Sequence, residues 1–298
     1  MNSKITFTRW RSAHENAVTA ITGLDPAGAR VAAAAPQRRP FLTARRRARL
    51  RRAGLVLVSV ALGLAAWEAV SLLVFGPFLI PPPQAVVRAF IPMSASGELL
   101  HDIAMSLSRV FIGYAVGGAV ALFFGLLMGR IRLLHDLAEP ILELMRFLSP
   151  TAMIPIAVVW FGIGELAKYS LVFWGTIFIV LISTIAGVGR VPRIRQNAAL
   201  CLGASEAQIF RLIVLPSAIP YIVVGLRLAL ASAFVSIIPA ELLAADSGLG
   251  YLLQQSSLLM QTDRIFVALV MICTIGFCAD RLFQLVTGTL LRRYLAVT

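Results

Sequence analysis

Three histidines, three cysteines, two lysines and fourteen acidic residues are the groups that could do chemistry in this 298-residue chain. His14, His101 and His135 lie far apart, and none stands at a spacing that puts two ligands on one metal, so no metal centre is expected. Cys201 stands alone, and Cys273 and Cys278 are five apart in one helical stretch, on different faces. They form no disulfide framework and read as packing residues. A phosphate-cradling loop needs glycines followed by a lysine, and neither Lys4 nor Lys168 follows a glycine, so no nucleotide is expected by that route. No catalytic constellation and no bound cofactor are expected. Glu68, Glu143, Glu241 and Asp280 are the carboxylates in or beside apolar stretches, where a proton- or sodium-coupled carrier would need them. Glu143 has Arg146 at i+3, a spacing for a local ion pair, Asp280 adjoins Arg281, and Glu68 and Glu241 fall towards the outer ends of their stretches. None makes a convincing relay. Arg109, Arg146 and Arg227 are the basic residues placed to meet an anion inside a membrane.

The elements that must position these groups are set by hydropathy. The chain is 59% hydrophobic and 14% charged, with a mean hydropathy of +0.86, too apolar for a water-covered surface. Apolar runs at Leu55–Phe75, Val110–Gly129, Phe147–Gly164 and Tyr169–Gly189 each reach across about 30 Å of hydrocarbon. Two further spans, Leu212 to about Ala245 and Ile265–Leu291, are interrupted by Arg227 and by Asp280 and Arg281. The expectation is an all-α integral membrane protein with about six transmembrane helices.

The net charge of +13 is concentrated at one end. Residues 1–53 hold twelve basic and two acidic residues, and further arginines fall on the segments that would face the cytoplasm if the N-terminus does. This asymmetry fits both termini in the cytoplasm and argues against a nucleic-acid partner. The Ala-, Arg- and Pro-rich segment 1–53 has no sustained period and is expected to be a largely disordered cytoplasmic tail, with 54–298 the transmembrane domain. Its basic run, Arg45–Arg52, suits topology anchoring, with anionic lipid as a further use. No small-residue cleavage pattern follows it, so no signal peptide is expected.

Between two spans lies a half-polar segment, "NAALCLGASEAQIFRLIVLP", Asn197–Pro216. Ala198, Ala199, Leu202 and Ala204 are small or apolar, Gly203 permits a sharp change of direction between two short helices, and Pro216 is expected to separate the second of them from the next span. Such an element fits a groove on a partner, or lies on the membrane surface with Glu206, Gln208 and Arg211 outward. Gly113-x-x-x-Gly117 and Gly125-x-x-x-Gly129 would let helices approach closely, with packing inside the subunit favoured over dimerisation. Pro150 and Pro155 should kink the third predicted span or break it beside a substrate path. "DSGLGYLLQQSSLLMQTDR" reads as a glycine turn and a short external helix, with Asp263 placed to cap the last span.

The pattern Ala198-Ala199, three residues, Gly203, nine residues, Ile213-Val214-Leu215-Pro216 resembles the cytoplasmic loop of ABC importer permeases. "FLIPPPQAVV", "WFGIGELAK", "LPSAIPYIVVGLRLAL", "AELLAADSGLGYLL" and "TDRIFVALV" resemble the nitrate, sulfonate and taurine branch of that family, over residues 77–293. The acid usual at the first position of the loop is Asn197 here, so the resemblance implies no charge-based contact at that position. It implies a type I (MetI-like) importer permease fold in the inner membrane, and a non-catalytic subunit. Its partners would be cytoplasmic ATPase subunits, an extracytoplasmic solute-binding protein, a second permease subunit in a homodimer, and membrane lipid. The coupling segment, 193–216, would act through Asn197, Ala198, Ala199, Gly203, Ala204, Ile213, Leu215 and Pro216. Arg146, Pro150, Pro155 and Glu241 are candidates for a translocation pathway. The solute would be a small anion, with its choice made mainly by the binding protein because the spans offer few convergent polar groups. A secondary transporter or channel, needing no partner, is the alternative.

Overall fold

The computed structural model describes residues 41–291, in which every regular element is a helix. The described residues divide into two units, with the boundary between Leu62 and Gly63. Helix α1 (Phe41–Val70) opens with an arginine-rich stretch that gives way to an apolar run, and ends in a π-helical turn over Ser71–Phe75. Of the tail expected at 1–53, residues 1–40 lie outside the described residues, whereas 41–53 are helical. Arg, Leu and Ala are strong helix formers and extend the helix of the following span backwards.

The second unit adds α2 (Pro83–Ala95), α3 (Glu98–Arg130), α4 (Arg132–Met145), α5 (Ile154–Phe161), α6 (Glu165–Gly189), α7 (Arg193–Cys201), α8 (Glu206–Ile209), α9 (Leu215–Ala244), α10 (Leu249–Leu258) and α11 (Thr262–Leu290). Within the described residues, five stretches are long and apolar enough to cross a membrane: Gly54–Val74, Glu98–Arg130, Glu165–Gly189, Glu206–Leu242 and Thr262–Leu290. The predicted span Phe147–Gly164 is not among them. Only Ile154–Phe161 is helical there, preceded by turns in which Ala152 N–H donates to Ser149 O (3.0 Å) and Met153 N–H to Pro150 O (3.2 Å). Pro150 has no N–H to continue a helix, and Pro155 sits in the first turn of α5, where a missing N–H is harmless.

Small residues set how the spans pack. A Cβ built on Gly113 would lie 2.6 Å from Val172 Cβ, on Gly117 3.1 Å from Thr176 Cβ, on Gly125 2.7 Å from Thr184 Cβ and on Gly129 2.7 Å from Val188 Cβ. All four pairs keep the same separation along the chain, so α3 and α6 run parallel, and the glycine motif serves packing within the subunit. Against α9, α6 is antiparallel: Gly187 meets Tyr221 and Ala218, Gly225 meets Ser183, and Ser232 Oγ donates to Gly175 O (2.8 Å). Two parallel spans require a return crossing between them. At 1.5 Å per residue, α4 and α5 supply about 21 Å and about 12 Å, enough together for a bilayer core of about 30 Å. The sixth crossing, third in chain order, is therefore two short helices with a break at 146–153.

Helix α3 begins at Glu98, well before the predicted Val110, and its Asp102, Ser106 and Arg109 are buried by partners described below. Helix α9 passes through Pro220 and Pro239 and packs antiparallel to α11, where Arg227 pairs with Asp280. Near the start of α11 the indole of Trp67 stacks on Phe266 (5.6 Å between centroids), and its Nε1–H donates to Pro81 O (3.2 Å). The cap of α11 is Gln261 and not Asp263, whose carboxylate accepts only the adjacent Arg264 N–H (2.9 Å).

Gly113→Ala and Gly125→Ala should each destabilise the protein by about 1–3 kcal/mol, since the added methyl must displace Val172 or Thr184. Gly118→Ala is the neutral comparison, because its methyl meets Leu226 at an ordinary 3.5 Å. Thermal unfolding of the detergent-solubilised protein measures the difference, and equal midpoints for all three would remove the packing role.

Candidate coupling surface and intramembrane site

The segment 193–216 folds as a helix, a glycine turn and a second helix. In α7 the turn is a Schellman motif: Ala204 N–H donates to Ala199 O (3.0 Å) and Gly203 N–H to Leu200 O (2.9 Å), with Gly203 at φ +80°. Ser205 then caps α8 in a reciprocal pair with Gln208, its Oγ accepting Gln208 N–H (3.4 Å) while its own N–H donates to Gln208 Oε1 (2.8 Å). Ala199, Ala204 and Ile213 turn inward onto a core of Val188, Val191, Ile209 and Val214. Asn197 and Ala198 face outward, and Leu202 and Ile194 are 88% and 77% exposed. Ile194, Ala198 and Leu202 are four residues apart, so they share one outward face of the bend. Pro216 does not separate α8 from the next span. The helix runs on through a π-turn at Phe210–Val214, a register shift next to the proline, whose ring cannot donate to the helical ladder.

The break between α4 and α5 opens a cavity of about 470 Å³, lined by Arg146, Phe147, Pro150, Trp174, Phe178 and Ser183 among others. The Arg146 guanidinium lies 4.9 Å from the Phe147 ring centroid, and the local ion pair with Glu143 does not form. Pro155 and Glu241 do not line this cavity. The other two arginines proposed to meet an anion are engaged. Arg227 forms a fork with Asp280 (2.7 and 3.0 Å), which also accepts from Gln284 (2.6 Å). Arg281, adjacent to Asp280 in sequence, lies instead over the Phe277 ring (4.8 Å). His135, Asp136 and Glu139 gather on α4, but both carboxylates are exposed.

Arg109 and Glu241, each 1% exposed, are the centre of a buried network at the opposite end of the spans from the loop. Arg109 grips Glu165 through Nε and Nη2 (2.7 Å each), reaches Glu241 Oε1 through Nη1 (2.8 Å), and donates to Ser247 O (2.6 Å) and Ser247 Oγ (3.2 Å), so all five N–H groups are used. Lys168 adds a bond to Glu165 (2.8 Å). The open backbone N–H groups at the start of α10 donate to groups from other helices: Gly248 to Asp102 (2.8 Å), Leu249 to Ser106 (2.9 Å) and Gly250 to Glu241 (2.9 Å). Gly248 stands at φ +115°, and a Cβ there would fall 2.5 Å from the Glu241 carboxyl. Sequence reasoning missed Asp102, Ser106, Glu165 and Ser247. The legible signal was the spacing of Asp102, Ser106 and Arg109, which places three polar residues on one face of a helix.

Arg109→Met should destabilise the protein by about 3–5 kcal/mol, because it strands a buried carboxylate. Arg109→Lys should rescue little, since an ammonium lacks the five-donor fork. Glu165→Gln should cost less than either, as Glu165 is 40% exposed. Membrane level and thermal midpoint give the ranking, and a benign Arg109→Met would deny the network its structural role.

Residues 117–290 match the family described as the binding-protein-dependent transport system inner membrane component. The chain is 40% identical over 237 residues to a protein of Brucella melitensis biotype 1 named as a probable ABC transporter permease, covering 80% of this chain and 96% of that one. It is 32% identical over 219 residues to the taurine transport system permease protein of Escherichia coli K12, covering 72% of this chain and 80% of that one. In fold it matches a chain of the MetNI methionine ABC transporter, solved in inward-facing conformations, with a TM-score of 0.56 at 21% identity over 70% of this chain and 98% of that one. Five long apolar spans, an exposed helix-turn-helix between α6 and α9, and these likenesses agree: the chain belongs to the family of binding-protein-dependent transport inner membrane components, the multi-pass permease subunits of ABC importers.

Proposed function

We propose that this chain is the non-catalytic permease of an importer for a small anion, working as a homodimer. A separate pair of cytoplasmic ATPases drives it, and an extracytoplasmic binding protein loads it. The observation that carries the reading is the bend at Gly203, which turns Ile194, Ala198 and Leu202 outward while Ala199, Ala204 and Ile213 hold it to the span ends. An apolar face that small, exposed and braced from behind suits insertion into a partner's groove. Closure of the ATPases would be transmitted through Asn197–Pro216 to the spans, with Asn197 offering an amide contact. The path would run beside the break of the sixth crossing, past Arg146, Pro150 and Pro155, with Glu241 fixing its outer wall. A solute of the taurine, sulfonate or nitrate type is supported by the taurine relative and by the matching stretches of sequence. Residues 1–53 would anchor the N-terminus in the cytoplasm, with 54–298 as the permease domain surrounded by lipid.

In intact cells, single cysteines at Gln84 and Gln255 should react with an impermeant thiol reagent and one at Gln196 should not. External labelling at Gln196 would reverse the orientation.

Gly203→Val tests the coupling role cleanly. A Cβ at Gly203 meets nothing within 4 Å, so the substitution acts only through a β-branched residue forced to positive φ. Membrane level should persist, while ATPase copurification or binding-protein control of hydrolysis, and transport with it, should fall sharply. Ala207→Ser, exposed on α8, is the control. Normal assembly with normal transport in Gly203→Val would return the segment to a passive surface helix.

A further inference from the structure

The cavity at the break of the sixth crossing has a chemical character of its own. Its wall follows α6 from Trp174 to Ser183, the middle of a helix that spans Glu165–Gly189, so Arg146 lies at mid-membrane depth. A guanidinium at that depth is costly unless something balances it. Elsewhere in the spans the cost is met by carboxylates: Glu165 and Glu241 for Arg109, Asp280 for Arg227. Among the described residues Arg146 has no such partner. Its support is the Phe147 ring and the C-terminal carbonyls of α4, which favour a cation without neutralising it.

The remaining polar groups of the wall point to what would balance the charge. Trp174 Nε1–H is spent on Leu148 O (3.0 Å), and the Ser232 hydroxyl on Gly175 O (2.8 Å). Ser183 also lines the cavity, and its hydroxyl, which packs beside Gly225 of α9, makes no hydrogen bond among the described residues, so the guanidinium is the first group the cavity offers a guest and a turned Ser183 hydroxyl the second. The lining carries one positive charge and no carboxylate. Phe147, Trp174 and Phe178 supply apolar walls.

We propose that Arg146 is a solute subsite within the permease, taking the singly charged oxyanion head of a small organic anion such as a sulfonate, with Ser183 as second donor and the aromatic rings against its apolar body. This deepens the reading of the chain as an importer permease and rests on it. The binding protein would select the solute, and Arg146 would then admit it by charge. The subsite is weak by necessity, since a solute held tightly at mid-path would not leave.

The test uses the complete importer, reconstituted with its ATPase and binding protein, with taurine, ethanesulfonate and nitrate as probes. Arg146→Gln should lower uptake about tenfold or more, the loss of one charged hydrogen-bonded contact, while membrane level and assembly persist. Arg146→Lys should recover part of the flux, and Glu143→Gln should leave it unchanged. Binding is read directly in Ser183→Cys, where ethanesulfonate at about 10 mM should slow modification by a thiol reagent. Ethylammonium should not protect, and Arg146→Gln should abolish the protection. Full uptake in Arg146→Gln, or protection that survives it, would overturn the subsite while leaving the importer reading intact. Loss of uptake in Glu143→Gln would overturn it too, showing that Arg146 works against that carboxylate and not against the solute. A wild-type complex whose ATPase ignores the binding protein would defeat the importer reading itself, and the subsite with it.

Discussion

Parallel packing of α3 on α6 is the constraint from which much else follows. Lipid tails are as apolar as leucine, so helices in a bilayer associate through close contact, and glycine allows the closest. Four glycines of α3 receive Val172, Thr176, Thr184 and Val188 of α6 in one register. Because the two helices point the same way, the chain between them must recross the membrane within 34 residues, and Pro150 and Pro155 fall in the middle of that stretch. A single straight helix is not available under those conditions. The outcome is two short helices and a break, and the cavity beside Arg146 is the space the break leaves.

Buried charge shows the same economy. Irregular backbone and ionised groups are tolerated at membrane depth only where protein or a water-lined cavity covers them. Loop 245–248 and the start of α10 meet that condition by handing their N–H groups to Asp102, Ser106 and Glu241, while Arg109 balances Glu165 and Glu241. Truncating any central member leaves a polar group without water or partner, so the network holds its elements in one arrangement. At the other end, the Gly203 bend is braced by backbone and capping bonds of its own.

Local chemistry made much of this legible in advance. Hydropathy marked five of the six crossings, helix-period glycines in α3 foretold close packing, and a lone glycine between two short polar helices foretold the bend at Gly203. In each case the deciding residues lie within a few turns of one another. Pro216 misled because a proline ordinarily ends a helix, whereas here the preceding π-turn absorbs it.

Sequence by itself thus determined the membrane environment, the helical class and the bend at Gly203, since each depends on composition or on spacing along one helix. Tertiary structure alone decided that Arg109 belongs to Glu165 and Glu241, that α3 and α6 are parallel, that the sixth crossing is broken, and that Arg146 has no carboxylate partner among the described residues. Those facts rest on partners up to 138 residues away, as with Arg109 and Ser247. An ion pair between distant helices has no period to read; it is chosen by which faces the packing brings together.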